Sequence, residues 1–299
     1  MPHTRNRAHL RACQDLLGFP LRSVPQTRTG QIHLDSGSPA QQRFQALLVT
    51  CLMSTEAHPH PWERPGATAM ASITGYLNWI AVHPDRLDVH TNTACRIAAR
   101  MLPLLHHRTH ISGIPGLRLI GVGRRRLRLK HLPTGARLDL IDTQGTKAHP
   151  DLTPILDFET SWHIKPGTQP LWQLPELTTA EAAHAHHWAP SACTPLRAAL
   201  MARTEAFYRR PLDCWPAWAD AAPGQPNPRL VWTGGAEVQD VADVLTTSVI
   251  RIPGAAYQAR GRDQGVLRLG DGAITLVRKE QDLEQLAKLL GVPHPGVAR

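Results

Sequence analysis

Between Leu117 and Asp142 the chain alternates apolar and polar residues three times over, a pattern for which a three-stranded meander is the simplest arrangement. The runs GLRLIGV, RRRLRLKHL and ARLDLID are punctuated by Gly121-Val122-Gly123 and by Pro133-Thr134-Gly135, turn signals of the kind that close hairpins. In the middle run Arg126, Arg128 and Lys130 alternate with Leu127, Leu129 and His131. Successive strand side chains point to opposite faces, so this strand carries one basic and one largely apolar face.

Upstream the period changes to that of helices. Residues 39–54 place Phe44, Leu47, Leu48, Cys51 and Leu52 at helical spacing behind Ser38 and Pro39, which suit an N-cap and a first turn. The Pro-rich stretch AHPHPWERPG interrupts the chain, and residues 67–82, with Met70, Ile73, Leu77 and Ile80 in phase, predict a second helix. A third is expected over TNTACRIAARMLPLLHH. There Ala94, Ile97, Ala98, Met101, Leu102 and Leu105 form the apolar stripe, opposite Asn92, Thr93, Arg96 and Arg100. Pro103 kinks or ends this helix, because it lacks an N–H and crowds the preceding turn.

Charge is distributed unevenly. Residues 1–150 hold 19 Lys or Arg against 8 Asp or Glu, whereas residues 151–299 hold 14 against 16, within a formal net charge of +9. No acidic residue occurs between Asp88 and Asp139, a window that contains Arg96, Arg100, Arg108, Arg118, Arg124, Arg125, Arg126, Arg128, Lys130 and Arg137. A polyanion is the partner this implies. The order of two apolar-periodic helices, a basic-faced helix and a basic strand pair resembles a winged-helix domain. The resemblance covers about a third of the chain, and it implies a helix in the major groove with the following hairpin on the backbone. Asn92, Thr93, Arg96 and Arg100 would then face bases or nearby phosphates, while Arg118, Arg124, Arg125, Arg126, Arg128 and Lys130 neutralise phosphates.

The second half is read from 229 onward as strand (RLVWTGG), helix (AEVQDVADVL), strand (SVIRIPG), hairpin (GVLRLGD, AITLVRK) and closing helix (EQDLEQLAKLL). Residues 151–228 are Pro- and Trp-rich, with one helix near 194–209. The expected fold is therefore mixed α/β (α+β) in three parts: a basic region of helices and meander at 1–150, a connecting region at 151–228 and a small α/β unit at 229–299. No internal repeat is legible.

Other constellations carry alternative chemistries. Histidines cluster as His58, His60 and Glu63; as His106, His107 and His110; and as Glu181, His184, His186 and His187. His106 and His110 would share a helix face at i and i+4, a spacing that can hold a metal. With 17 histidines in the chain, chance pairs are expected, so no metal site is assigned. Asp35-Ser36-Gly37-Ser38, Asp142-Thr143-Gln144-Gly145-Thr146 and Thr233-Gly234-Gly235 resemble, in order, the phosphate and adenosine loops of the actin and sugar-kinase superfamily, which implies a nucleotide and magnesium. Leu156-Asp157-Phe158-Glu159-Thr160 is similar to the first motif of DEDD exonucleases, which implies a metal-activated water. The five cysteines are widely spaced and lack zinc patterns, so they are expected as reduced and mostly buried thiols. No apolar run reaches membrane-spanning length and no secretory signal opens the chain, so a cytoplasmic protein without a membrane partner is expected. The composite expectation is a non-enzymatic DNA-binding protein of regulation, replication or repair without a cofactor, DNA being favoured over RNA. A nucleotide- or metal-dependent enzyme and a protein docking an acidic partner chain are the alternatives.

Overall fold

A computed structural model describes residues 2–18, 34–53, 73–108, 110–144, 151–219, 227–233 and 235–279. Two helices come first, α1 (Pro2–Leu17) and α2 (Pro39–Met53). A hairpin of β1 (Leu77–Val82) and β2 (Arg86–Thr91) leads into α3 (Ala94–Met101). A short hairpin, β3 (Leu104–His106) and β4 (His110–Ser112), precedes the meander β5 (Leu117–Val122), β6 (Arg126–His131) and β7 (Arg137–Asp142). Then come α4 (Thr153–Ser161), β8 (Thr168–Pro170), α5 (Thr179–Ala182), α6 (Thr194–Ala202) and α7 (Thr204–Phe207). The chain continues with β9 (Trp215–Ala219), β10 (Arg229–Thr233), α8 (Val238–Thr246), β11 (Ala256–Ala259), β12 (Gln264–Leu269) and β13 (Gly272–Lys279). The fold is mixed α/β.

The strands form three sheets, ordered β1-β2-β7-β6-β5, β11-β12-β13-β10-β9 and β4-β3-β8. The first two are built alike. In each, an antiparallel hairpin is followed by a helix and a three-stranded meander, and the last meander strand lies parallel to the second hairpin strand, as β7 on β2 and β13 on β10. This duplicated ββαβββ topology is hidden in the sequence, because the first copy carries the β3–β4 hairpin between its helix and meander. The second sheet also takes its edge strand from Trp215–Ala219, ahead of residue 229. Helix α2 packs along α6 and against β9, joining the two copies around one continuous apolar core.

The meander follows its alternation. Leu127, Leu129, Leu138 and Leu140 are at most 1% exposed and face α3 across the inner side of the first sheet. Each contributes about 2 kcal/mol of apolar burial. Helix α3 stops where Pro103 dictates, its cap residue Leu102 already extended (φ −67°, ψ 129°) as the residue before a proline must be.

Four sequence readings are corrected. Residues 77–82 are not helical: they form β1, preceded by a 3-10 turn at Ile73–Tyr76, while residues 67–72 lie outside the described residues. LNWIAV is a short, nearly continuous apolar run, and periodicity alone does not separate a strand of this kind from a buried helix. Residues 102–107 leave the helix for β3. SVIRIPG forms turns, Ser248 Oγ donating back to the Val244 carbonyl, and the strand comes later, as β11. The helix read near 194–209 breaks at Arg203, and the closing helix read over EQDLEQLAKLL lies outside the described residues.

Candidate nucleic-acid interface

The outer face of the first sheet is set by register. In register, Arg118, Lys130, Arg137 and Arg86 form one row across four strands; Arg118 is buried against Glu181, which leaves Lys130, Arg137 and Arg86 as the cations of the row outside that pair. The next row is Arg128, Asp139 and Asp88, and the one after is Arg126, Ile141, His90 and Trp79. Arg126, Arg128 and Arg137 are exposed, and Arg86 and Lys130 half-buried. Five cations thus face two carboxylates. Asp139 is 6% exposed and is held by Arg126 at 3.1 Å and Arg86 at 3.9 Å. Arg86 also donates to Asp88 at 2.6 Å, and His83 sits 3.2 Å from the same carboxylate. Burial pushes the Asp139 carboxyl above its ordinary range, against the pull of Arg126. Burial likewise pushes His90 down to about 4, leaving a neutral ring stacked on Trp79 at 3.3 Å between centroids. Like charges directly opposite each other are unfavourable in a sheet. Lys130 and Arg137 are such a pair, whereas Arg86 is compensated by Asp88 and Asp139.

A second polar group lies at the carboxyl end of the parallel pair. Asn92 Oδ1 accepts from Asn78 Nδ2 at 2.7 Å and lies 2.6 Å from the Thr143 hydroxyl. Arg125, in the β5–β6 turn with exposed Arg124, donates to the carbonyls of Asp142 (3.0 Å) and Thr143 (2.5 Å). Arg96, in the first turn of α3, lies over the Tyr76 ring at 5.8 Å with its Nε 3.6 Å from Glu159. Thr93 caps α3 without a side-chain bond to the helix.

These placements separate residues that the sequence reading put together. Helix α3 covers the inner face of the sheet, while Arg126, Arg128 and Lys130 are on the outer face, so Arg96 and Arg100 cannot join them in a helix-and-wing surface. Arg100 is turned toward Cys51 and His163, at the far end of α3 from Asn92 and Thr93; burial, with Lys165 and then Arg100, pushes His163 down to about 4. Arg118 is withdrawn from any surface. It is 3% exposed, bidentate to Glu181 at 2.8 Å, and donates to the Leu174, Glu176 and Leu117 carbonyls. What the sequence reading missed is Arg137 and Arg86 as row partners of Lys130, and Tyr76, Asn78 and Thr143 at the sheet edge. The alternation of ARLDLID does give the facing of Arg137, but its row partner on the parallel strand, Arg86, is 51 residues away in sequence.

Several residues of the other constellations have structural partners. Asp35 is bidentate to Arg203 at 2.7 and 2.8 Å, a clamp on the end of α6. Gly235 packs so closely under the Leu212 and Asp213 carbonyls that a Cβ would collide, and Gly145, Thr146 and Gly234 lie outside the described residues. Asp157 and Glu159 sit on α4, Glu159 paired with Arg96. His106 and His110 face each other across the β3–β4 hairpin, their rings 5.8 Å apart, and Glu181 is consumed by Arg118. His58, His60 and Glu63 lie outside the described residues. Among the described residues no group of three His, Cys, Asp or Glu is placed to hold a metal ion, and no helix is long and apolar enough to cross a membrane. The five cysteines are free thiols, four of them buried. His106 Nε2 lies 2.7 Å from Ser112 Oγ beside a cavity of about 350 Å³ whose walls include Leu47, Cys51 and Ile114. No protein-family model, curated protein or solved structure matches the chain.

Proposed function

We propose that this chain is a non-enzymatic nucleic-acid-binding protein, DNA being the favoured polymer, that seats the phosphate backbone on the open face of its first sheet. The observation that carries this reading is the Lys130–Arg137–Arg86 row, flanked by Arg126 and Arg128. Adjacent cations in register repel one another in the free protein, and a line of phosphates relieves that repulsion while releasing condensed counterions. The two carboxylates at the centre hold Arg86 and Arg126 on this face through ion pairs. Such a face holds a backbone by charge and does not read base edges. A role in regulation, replication or repair fits this mode of binding.

Fluorescence anisotropy with labelled DNA tests the reading. Affinity is expected to fall with salt with a log–log slope of about 4, from five cations at roughly 0.7–0.9 counterions each. The triple variant Arg128→Ala, Lys130→Ala, Arg137→Ala should lose most binding and lower the slope by about 2 to 3. If neither DNA nor RNA binds at low salt, or if the triple variant binds as the parent does, the reading is wrong. Equal binding to polyglutamate would turn it toward an acidic protein partner.

A further inference from the structure

We infer that the nucleic acid is single-stranded, and that its unpaired bases stack on a strip of exposed aromatic side chains, Trp215, Tyr76, Phe158 and Trp162, running past Arg96 at the edge of the first sheet. The inference rests on the nucleic-acid reading above and names which form of the polymer it takes.

The strip is two aromatic groups, Trp215 with Tyr76 and Phe158 with Trp162, linked through Arg96 and Glu159. Trp215 is 48% exposed and lies against Gly75, so closely that a Cβ there would come within 3.1 Å of its ring. Tyr208 braces Trp215 edge-on at 5.3 Å. Next in the chain is Tyr76, 37% exposed, whose carbonyl accepts from Thr91 Oγ1 at 2.7 Å and is thereby fixed at the end of β2. The Arg96 guanidinium covers the Tyr76 ring and reaches Glu159 on α4. Beside Glu159, Phe158 and Trp162 are 59% and 63% exposed and meet edge to face at 5.7 Å.

Exposed large apolar side chains gathered in this way mark a contact surface. Its chemistry favours bases over an apolar peptide. Arg96 lies within the strip, and Arg125, beside exposed Arg124, donates to the carbonyl of Thr143, whose hydroxyl bonds Asn92, so cations stand at the Tyr76 end against Asp157 and Glu159 on α4. The exposed amide of Asn92, held by Asn78 and Thr143, follows Thr91, which bonds the Tyr76 carbonyl, and adds hydrogen-bonding groups there. Aromatic platforms interleaved with cations are what unpaired bases and their phosphates require, whereas the bases of a duplex are already stacked on one another and cannot use them. Register places the basic row at the start of β2 and β7 and the strip beyond their ends, so a single strand that uses both lays its phosphates along the sheet face past Arg126 and reaches the strip with its bases.

The test uses the full chain with labelled oligothymidylate and a duplex of equal length. In the variant Phe158→Ala, Trp162→Ala both changes fall on exposed positions, Phe158 within α4, where Ala is the best helix former, and Trp162 at its C-cap, and circular dichroism checks the fold. Single-strand affinity should fall by about tenfold or more, with duplex affinity and the salt slope unchanged, since no phosphate contact is removed. Trp162→Phe alone should retain most of the affinity. A double variant that binds the single strand as the parent does, or a parent that prefers the duplex, overturns the strip and leaves the sheet-face reading standing. Binding of neither polymer overturns both.

Discussion

Arg118 and Glu181 form a closed pair: two parallel N–H···O bonds of 2.8 Å join them inside the protein, and the remaining guanidinium protons and carboxylate lone pairs are taken by the Leu117, Leu174 and Glu176 carbonyls, the Gly116 and Thr178 amides and the Thr178 hydroxyl. The pair ties β5 to the 174–181 segment. Removing either partner strands a buried charge, so Arg118→Ala and Glu181→Ala should each cost about 3–5 kcal/mol in urea or guanidinium unfolding. Arg124→Ala, on an exposed turn, should stay within about 0.5 kcal/mol of the parent. A loss at Arg118 no larger than at Arg124 would contradict this role.

The sheet-face row predicts a trade between stability and binding. Substituting Lys130 by Glu puts opposite charges in register with Arg137, which should raise stability by a few tenths of a kcal/mol while weakening nucleic-acid binding. Thermal unfolding and anisotropy on the same variant check both signs. A variant that is less stable and binds equally well would remove the argument from repulsion.

Acid should unfold the protein through its buried histidines. Burial holds His90, His131 and His163 near 4, below the ordinary value of 6.5, and His131 is also enclosed between Pro115 and Thr134. Groups whose folded pKa is depressed give stability that is present above the unfolded pKa and is lost as pH falls from 6.5 toward 4. Stability measured by denaturant titration should drop across this window, and His131 resonances in NMR should titrate near its lower end. A flat profile between these values would exclude the mechanism.

Glu205 acts in the opposite sense. It lies in α7, 5% exposed, with Oε1 unpartnered among the described residues, and burial pushes its carboxyl from 4.5 up to about 8 against the pull of Arg209. A raised folded pKa gives stability that is present below about 4.5 and lost as pH rises toward 8. Glu205→Gln keeps the shape without the charge and should therefore be more stable than the parent at pH 8 by on the order of 3 kcal/mol, with little difference at pH 4.5. Equal stability of the two proteins at pH 8 would mean that the carboxyl is ionised without penalty.

Local chemistry determined much of this protein from sequence alone. The meander of β5 to β7 was legible because the period of two is unbroken between turn signals, α2 because Phe44, Leu48 and Leu52 hold a helical face, and the β12–β13 hairpin because Gly270 and Gly272 bracket its turn. The stop of α3 at Met101 was legible in Pro103. The tertiary structure decided what local signals leave open: β1 against a helix, the parallel pairing of β2 with β7, and the repetition of one topology around α2 and α6. It also decided the fate of each arginine. Arg118 and Arg128 both alternate with leucines in basic strands, yet one is sealed against Glu181 and the other faces water. Alternation fixes the side of a strand on which a residue lies, but whether that side is then covered depends on a segment more than 50 residues away, Leu174 to Glu181. The sequence could therefore show how much positive charge the first half carries, and only packing could show which part of it is free to meet a partner.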